Sequence, residues 1–229
     1  CADPYIKTRA TYYGSPDGLG TTGGACGYGS FGRRLNGGEV AAVAQLYRNG
    51  TGCGACYHVR CIHPELCTDG GVKIVVTDYG QGDRTDFILS TTAYAKLARS
   101  DKTKELILMG VVEVEFIRIS CQYPGYNIML KIEETSKFPE YLALQFWYQG
   151  GEKDVVAVEI RQEQSYEWKA MRKSYGAVWD VVTPSKGEAL SLRFLLSDGI
   201  NGHEWKSVAN AIPANWKAGA LYDSGIQLH

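Results

Sequence analysis

Between Thr77 and Ser90 the chain reads TDYGQGDRTDFILS and carries three carboxylates, Asp78, Asp83 and Asp86, between an apolar run and a short helix signal. Paired carboxyl groups are what hydrolysis of a glycosidic bond requires. One protonates the leaving oxygen, and the other activates water or attacks; in inverting enzymes the two stand about 6.5–9.5 Å apart. Asp83, beside Gly82, reads as a solvated loop residue. Asp78 and Asp86 are therefore the acids that could do work. A second set of residues points to binding rather than bond making. Tyr12 and Tyr13 sit together near the N-terminus, and Tyr141, Trp147 and Tyr175 punctuate the second half. Aromatic faces stack on the CH faces of sugar rings, which makes them the usual means of holding an uncharged polymer.

The elements that must position these residues are mainly strands. Val72–Thr77 is a short apolar run, and Val112–Ile119 alternates as a half-buried strand does. Further strand signals cover Asn127–Ile132, Tyr141–Tyr148, Val155–Ile160, Leu190–Leu196 and Gly219–Leu228. Gly150-Gly151, Pro184-Ser185-Lys186-Gly187 and Asp198-Gly199 mark turns between them. Thr91–Ala98 is the one convincing helix, with Tyr94, Leu97 and Ala98 on one face behind a Ser/Thr cap. Along Tyr141–Tyr148, alternation puts Leu142, Leu144 and Phe146 in the core and Tyr141, Ala143, Gln145 and Trp147 outside. Tyr141 and Trp147 would then lie about 20 Å apart along the strand. Trp168, Trp179, Trp205 and Trp216 read as core or loop packing. The same alternation allows only one of Tyr12 and Tyr13 to point inward.

Seven cysteines, Cys1, Cys26, Cys53, Cys56, Cys61, Cys67 and Cys121, all fall in the first part of the chain. A cysteine-rich half followed by a half with none suggests two domains. The division is placed at Gln122–Tyr126, giving residues 1–123 and 127–229. Cys53 and Cys56 form a C-x-x-C pair, but His58 and His63 are not at zinc-finger spacing and no second pair follows. Disulfides are the favoured reading, with metal or free thiols as the alternative. The sequon Asn49-Gly50-Thr51 makes Asn49 a glycosylation candidate and agrees with secretion. A chain starting at Cys1 would fit an export signal already removed.

Composition excludes several classes. The net charge is −1, with 24 basic and 25 acidic residues, so no basic surface for nucleic acid is expected. No apolar run is long enough to span a bilayer, so no membrane partner is expected either. Nothing calls for a cofactor or a metal, and a monomer is expected.

Five motifs then come in a telling order. They are Ala10-Thr11-Tyr12-Tyr13-Gly14, Gly23-Gly24-Ala25-Cys26-Gly27, Gly52-Cys53-Gly54-Ala55-Cys56-Tyr57, Val76-Thr77-Asp78 and Ile212-Pro213-Ala214-Asn215-Trp216. Together they resemble the plant expansins, relatives of the group-1 grass pollen allergens, and TDYGQGDRTDFILS is most similar to the expansin-like B group. The resemblance runs from about Thr8 to the C-terminus. It implies a mainly β fold: an N-terminal six-stranded double-psi β-barrel related to family-45 endoglucanases, and a C-terminal immunoglobulin-like β-sandwich that binds cellulose. It also implies the disulfides Cys26–Cys53, Cys56–Cys121 and Cys61–Cys67, with Cys1 unassigned.

The family pattern His-Phe-Asp-Leu-Ser aligns here with Asp86-Phe87-Ile88-Leu89-Ser90. Isoleucine stands where the hydrolase-like acid belongs, and Asp86 is displaced by two positions. Asp78 matches the family's Thr-Asp aspartate. The expectation is therefore a vestigial catalytic groove with Asp78 and Asp86 as remnants and no enzymatic activity. The resemblance further implies polysaccharide contacts from Tyr12, Tyr13, Asp78, Tyr141 and Tyr175, to which alternation adds Trp147. The implied protein is secreted to the cell wall and binds cellulose, xyloglucan or xylan across an open groove, loosening polymer contacts without cutting them. Two alternatives stay open: a wall carbohydrate-binding or defence protein without loosening activity, and a weak endoglucanase using Asp78 and Asp86.

Overall fold

The computed structural model describes residues 3–182 and 187–229. Cys1 and most of the Pro184–Gly187 turn therefore lie outside the described residues. The chain forms two compact units, Cys1–Ser120 and Cys121–His229. The division falls just N-terminal to the Pro-Gly signal because Cys121 exchanges both backbone hydrogen bonds with Gly151 and so joins the second unit.

The first unit is a closed barrel of six strands: β1 (Ile6–Tyr13), β2 (Val40–Val43), β3 (Cys56–Cys61), β4 (Val72–Tyr79), β5 (Phe87–Ser90) and β6 (Val112–Ile119). Their order around the barrel is β1-β5-β2-β4-β3-β6. The pairs β1/β5 and β2/β4 are parallel and the rest antiparallel, so the chain must cross between non-neighbouring strands. Closure removes the free edges that an open sheet would expose. Val59, Ile74, Val76, Phe87, Leu89 and Val114 fill the interior and are fully or nearly fully buried. Three short helices flank the barrel: α1 (Gly29–Arg34), α2 (Thr91–Ala95) and α3 (Thr103–Met109). Ser90 caps α2, its hydroxyl accepting from the Ala93 N–H at 3.3 Å. Tyr94, Leu97 and Ala98 pack on the core, as their spacing requires, although the α-helix itself stops at Ala95. The additional helices α1 and α3 carry no cap hydrogen bond from a side chain, which explains their weak sequence signal.

Two disulfides fasten loops of this unit, Cys26–Cys53 and Cys61–Cys67, with Cα separations of 5.7 and 5.6 Å. Cys56 and Cys121 are each disulfide-bonded as well.

The second unit is a sandwich of two sheets. One contains β11 (Arg172–Tyr175), β12 (Val178–Val182), β8 (Tyr141–Trp147), β7 (Met129–Ile132) and β15 (Leu221–Asp223), in that order. The other contains β10 (Lys169–Ala170), β9 (Asp154–Gln162), β13 (Leu190–Ser197) and β14 (His203–Ile212). Leu142, Leu144 and Phe146 from the first sheet meet Val158, Leu192 and Phe194 from the second, with the Phe146 and Phe194 rings 5.0 Å apart. Trp179 and Trp216 are buried in this core. Trp168 and Trp205 are not core residues. They lie on the outer side of the four-stranded sheet, where the Arg193 guanidinium sits 4.5 Å from one ring and 4.7 Å from the other. The polar, largely exposed β14 has no apolar run to announce it in the sequence. Of the strand expected over Gly219–Leu228, only Leu221–Asp223 forms.

Candidate functional site

In the barrel, strand register assembles a row of side chains across four neighbouring strands. Thr11 pairs with Ile88, Ile88 with Ala42, and Ala42 with Asp78. Their sequence neighbours Ala10, Phe87, Leu89 and Ala41 point inward and are fully buried, so the row itself faces outward. An irregularity in the β2–β4 ladder between Ala41 and Ala42 brings Asp78 into line with Ala42.

Asp78 is held by backbone. Its Oδ1 accepts the Ala25 N–H at 2.7 Å and the Tyr79 N–H at 2.8 Å. The glycine-rich loop supplying Ala25 packs tightly on β4: Cys26 N–H donates to the Thr77 carbonyl, and a Cβ on Gly24 would stand 2.6 Å from that oxygen. Cys26–Cys53 anchors the same loop. Two tyrosines lie close enough to feel the carboxylate's charge, and Tyr79 packs on one of them. Burial, reinforced by the Asp78 charge, pushes the Tyr13 phenol up to about 12 and raises the Tyr47 phenol in the same way. Tyr47 donates to the Ala25 carbonyl at 3.2 Å, and its ring lies 5.3 Å from that of half-exposed Tyr79. Neither Tyr47 nor Tyr79 stood out in the sequence. Adjacency to Asp78 could have singled out Tyr79, but Tyr47 arrives from a distant 3-10 turn, Gln45–Gly50.

Tyr12 takes the inward side of β1. Its hydroxyl donates to the Ile107 carbonyl at 3.1 Å and its ring packs 4.6 Å from Tyr94. Tyr12 is thus a packing residue and does not belong with the groove contacts proposed for it above. Ile88 lies against Gly80, where an added Cβ would meet its Cδ1 at 2.9 Å. An apolar patch therefore occupies the middle of the row.

Asp86 stands just before β5 and turns away from this row. Its carboxylate accepts the hydroxyl of Thr8, which shares the inward side of β1 with Ala10 and Tyr12. Its backbone N–H donates to Arg9, and its carbonyl accepts from Ala44. Two interstrand steps and two residues separate Asp78 from Asp86, a Cα distance of about 12 Å by standard strand spacings. Asp83 is almost fully exposed beside Arg84. Asn49 is exposed in the Gln45–Gly50 turn with φ of +54°. The described residues contain no cluster of His, Cys, Asp or Glu able to hold a metal ion. His58, weighed above for zinc, instead bridges the Tyr5 hydroxyl and the Gly70 carbonyl, at 2.9 and 2.7 Å.

In the second unit, the outer face of the five-stranded sheet gathers Tyr141, Tyr175 and Trp147. Ala143 and Gln145 share that side of β8 yet are buried, because a layer of polar side chains covers the strand. Two chains of hydrogen bonds run through this layer. In one, Arg172 Nε and Nη2 fork onto Asp180 at 2.9 and 2.7 Å, and the Tyr141 hydroxyl donates to the same carboxylate at 2.7 Å. The Arg172 hydrogen bond, followed by that from Tyr141, holds the Asp180 carboxyl below the usual range. The bond to Asp180 pushes the Tyr141 phenol up to about 12.

In the other chain, Trp147 Nε1 donates to Gln145 Oε1 at 2.9 Å, and Gln145 Nε2 donates to Glu133. Burial of Glu133 raises its carboxyl above the usual range. Lys131 Nζ lies 5.7 Å from the Trp147 ring. Tyr175, on edge strand β11, is 55% exposed, and Glu133 and Glu134 add to the effect of burial in raising its phenol. Trp147 is only part-exposed, its ring orientation set by Gln145. The arrangement can present aromatic surface over fixed polar groups.

The family model described as expansin C-terminal domain matches residues 128–213, and one described as lytic transglycolase matches residues 39–116. Expansin-like B1 of Arabidopsis thaliana is 52% identical over 99% of this chain and 90% of its own length. Expansin-like B1 of Oryza sativa is 48% identical over 98% of this chain and 88% of its own length. Among solved structures, the apo expansin of Clavibacter michiganensis superposes with a TM-score of 0.71 at 18% identity, covering 98% of this chain and 100% of the other. The fold also matches, with a TM-score of 0.69, the D78N mutant of that expansin in complex with cellohexaose, at 18% identity and with 98% of this chain and 100% of the other covered.

Proposed function

This chain belongs to the expansin superfamily, with expansin-like B relatives along nearly its whole length, and on that premise we propose that it is a secreted cell-wall protein that binds cellulose or hemicellulose and loosens polymer contacts without hydrolysis. The observation carrying this reading is the composition of the Asp78 row. Ile88 stands in the row at the position where the family resemblance puts an acid, while Asp86 is turned to Thr8. Asp78 is engaged by the Ala25 and Tyr79 backbone N–H groups and Asp86 by the Thr8 hydroxyl, so each carboxylate is held by its own partners. With Tyr13 and Tyr47 close enough to Asp78 to feel its charge and the Tyr79 ring packed on Tyr47, the groove offers ring faces and a carboxylate acceptor to a glucan.

The outer face of the sandwich supplies the second contact. Tyr141 and Trp147 are pinned by Asp180 and Gln145 before any ligand arrives, so little side-chain freedom remains to be lost on binding. Stacking then displaces water from ring and sugar faces. Bonds to fixed polar groups replace contacts between glucan chains, and no covalent intermediate is involved. The protein acts as a monomer in this reading.

The test uses two assays on the purified protein. Extension of a clamped, heat-inactivated wall strip is expected, with no reducing ends released from amorphous cellulose or xyloglucan. Sugar release that disappears in Asp86→Asn would overturn the non-hydrolytic reading. Retained polymer binding without extension would replace it with a binding protein that does not loosen walls.

A further inference from the structure

Around the barrel, β3 and β6 are the two strands that the Asp78 row does not use. These two strands border a cavity of about 390 Å³ beside the Cys61–Cys67 disulfide. Its polar lining consists of Arg60, His63, Asp69, Arg99 and Glu115. None of these residues is used by the groove or by the sandwich face.

Several groups in the lining retain hydrogen-bonding capacity. Arg60 and Glu115 oppose each other in the β3–β6 ladder and are joined Nε to Oε1 at 2.6 Å, a bond that does not use Glu115 Oε2. Arg99 donates its Nε–H to the Cys67 carbonyl at 3.2 Å, a bond that does not use either Nη group. The Nδ1 atom of His63 is buried and has no hydrogen-bond partner among the described residues. A buried polar atom without a partner is costly, and a ligand that supplies one recovers that cost.

Charge balance selects the ligand. Two guanidinium groups face two carboxylates of the lining, Asp69 and Glu115, and Arg60 Nη2 also donates to Asp3 at 3.4 Å. A uronate, phosphate or sulfate would meet Asp69 and Glu115, and a metal ion or ammonium group would meet Arg60 and Arg99. A neutral molecule that donates and accepts at once meets no such penalty. Vicinal hydroxyls have this character: each gives a proton to a carboxylate and takes one from a guanidinium. Ile62, Pro64 and the disulfide add an apolar wall for the CH groups of such a ligand. At interior packing density a hexopyranose needs about 200 Å³. The cavity thus holds one ring, or two at most, which suits a chain end or side branch rather than the middle of a linear glucan.

We propose that this recess is a second carbohydrate site, which takes a single neutral pyranose from a branch or chain terminus. The inference does not depend on the polymer-binding role given to the sandwich face. Saturation-transfer NMR of the whole chain with methyl β-D-xylopyranoside, methyl β-D-galactopyranoside and methyl β-D-glucopyranoside tests it, with methyl β-D-glucuronide as the charged comparison. Saturable binding of a neutral glycoside is expected, accompanied by a shift of the His63 ring resonances. Arg99→Ala and Asp69→Ala should each weaken it about tenfold or more, the loss expected for a charge-assisted bond. Both variants should stay folded by near-ultraviolet circular dichroism and keep wild-type retention on cellulose, Arg99→Ala losing some stability with its bond to the Cys67 carbonyl. Three results would each overturn the proposal: no neutral glycoside binding at about 50 mM, far above ordinary sugar-site affinity; tighter binding of the glucuronide; or undiminished binding in both variants.

Discussion

Truncating Tyr141 and Tyr175 together to alanine removes two of the three rings from the outer face of the sandwich. The size of the effect follows from exposure. A tyrosine side chain presents about 200 Å² when fully open. Tyr175 is 55% exposed, so about 110 Å² is available, and a sugar lying on one face covers about half of that. With an equal area on the sugar, about 110 Å² leaves water, a gain of about 2.8 kcal/mol at 25 cal/mol per Å². Because the sugar face is only partly apolar, about half of this, near 1.4 kcal/mol, is the expected loss, equivalent to a tenfold rise in Kd. Tyr141 is less exposed and contributes no more than this, so the double variant should bind between about tenfold and about 100-fold more weakly.

The assay is depletion from solution onto microcrystalline cellulose over a range of loadings, with near-ultraviolet circular dichroism to confirm the fold. Ile200→Ala is the control, since Ile200 is 80% exposed in a loop and lies in neither candidate site. Unchanged retention in the double variant would refute the assignment of this face. Equal loss in Ile200→Ala would show that retention reflects general apolar adsorption.

Two further outcomes are expected. The Glu133 carboxyl is raised by burial, so the folded state holds its proton more tightly than the unfolded chain does, and its contribution to stability declines as pH rises above the ordinary carboxylate range. Glu133→Gln keeps an acceptor for Gln145 and removes that decline. Between about pH 4 and about pH 7 its denaturant midpoint should therefore improve relative to wild type, and a pH-independent difference would contradict this account. Gly24→Ala places a Cβ at 2.6 Å from the Thr77 carbonyl and must shift the loop that donates to Asp78. A loss of about 1–3 kcal/mol in chemical denaturation is expected, together with a lower titration midpoint for Tyr13 as Asp78 is released; wild-type stability would show that the loop is not held as tightly as the geometry indicates.

Local pattern alone made much of the fold legible. Alternation placed Leu142, Leu144 and Phe146 inside and Tyr141 and Trp147 outside, because successive side chains of a strand must take opposite faces. The cap and apolar spacing after Ser90 marked α2 for the same local reason. Residue identity also puts an alkyl chain at Ile88, where the family resemblance implies an acid, and no neighbour can turn it into a proton donor. What the sequence could not decide depends on contacts between distant segments. The direction of Asp86 rests on Thr8, 78 residues away, and the fork on Asp180 rests on the β11–β12 pairing. Tyr47 reaches Asp78 only through loop packing, and β14 is ordered by its ladder to β13 rather than by its own composition. The cavity beside Cys61–Cys67 is likewise a product of register, with Arg60 facing Glu115 only because β3 and β6 pair where they do. Pattern within a strand determines which side a residue takes, but register between strands determines which residues share that side, and register is set by the whole closed barrel.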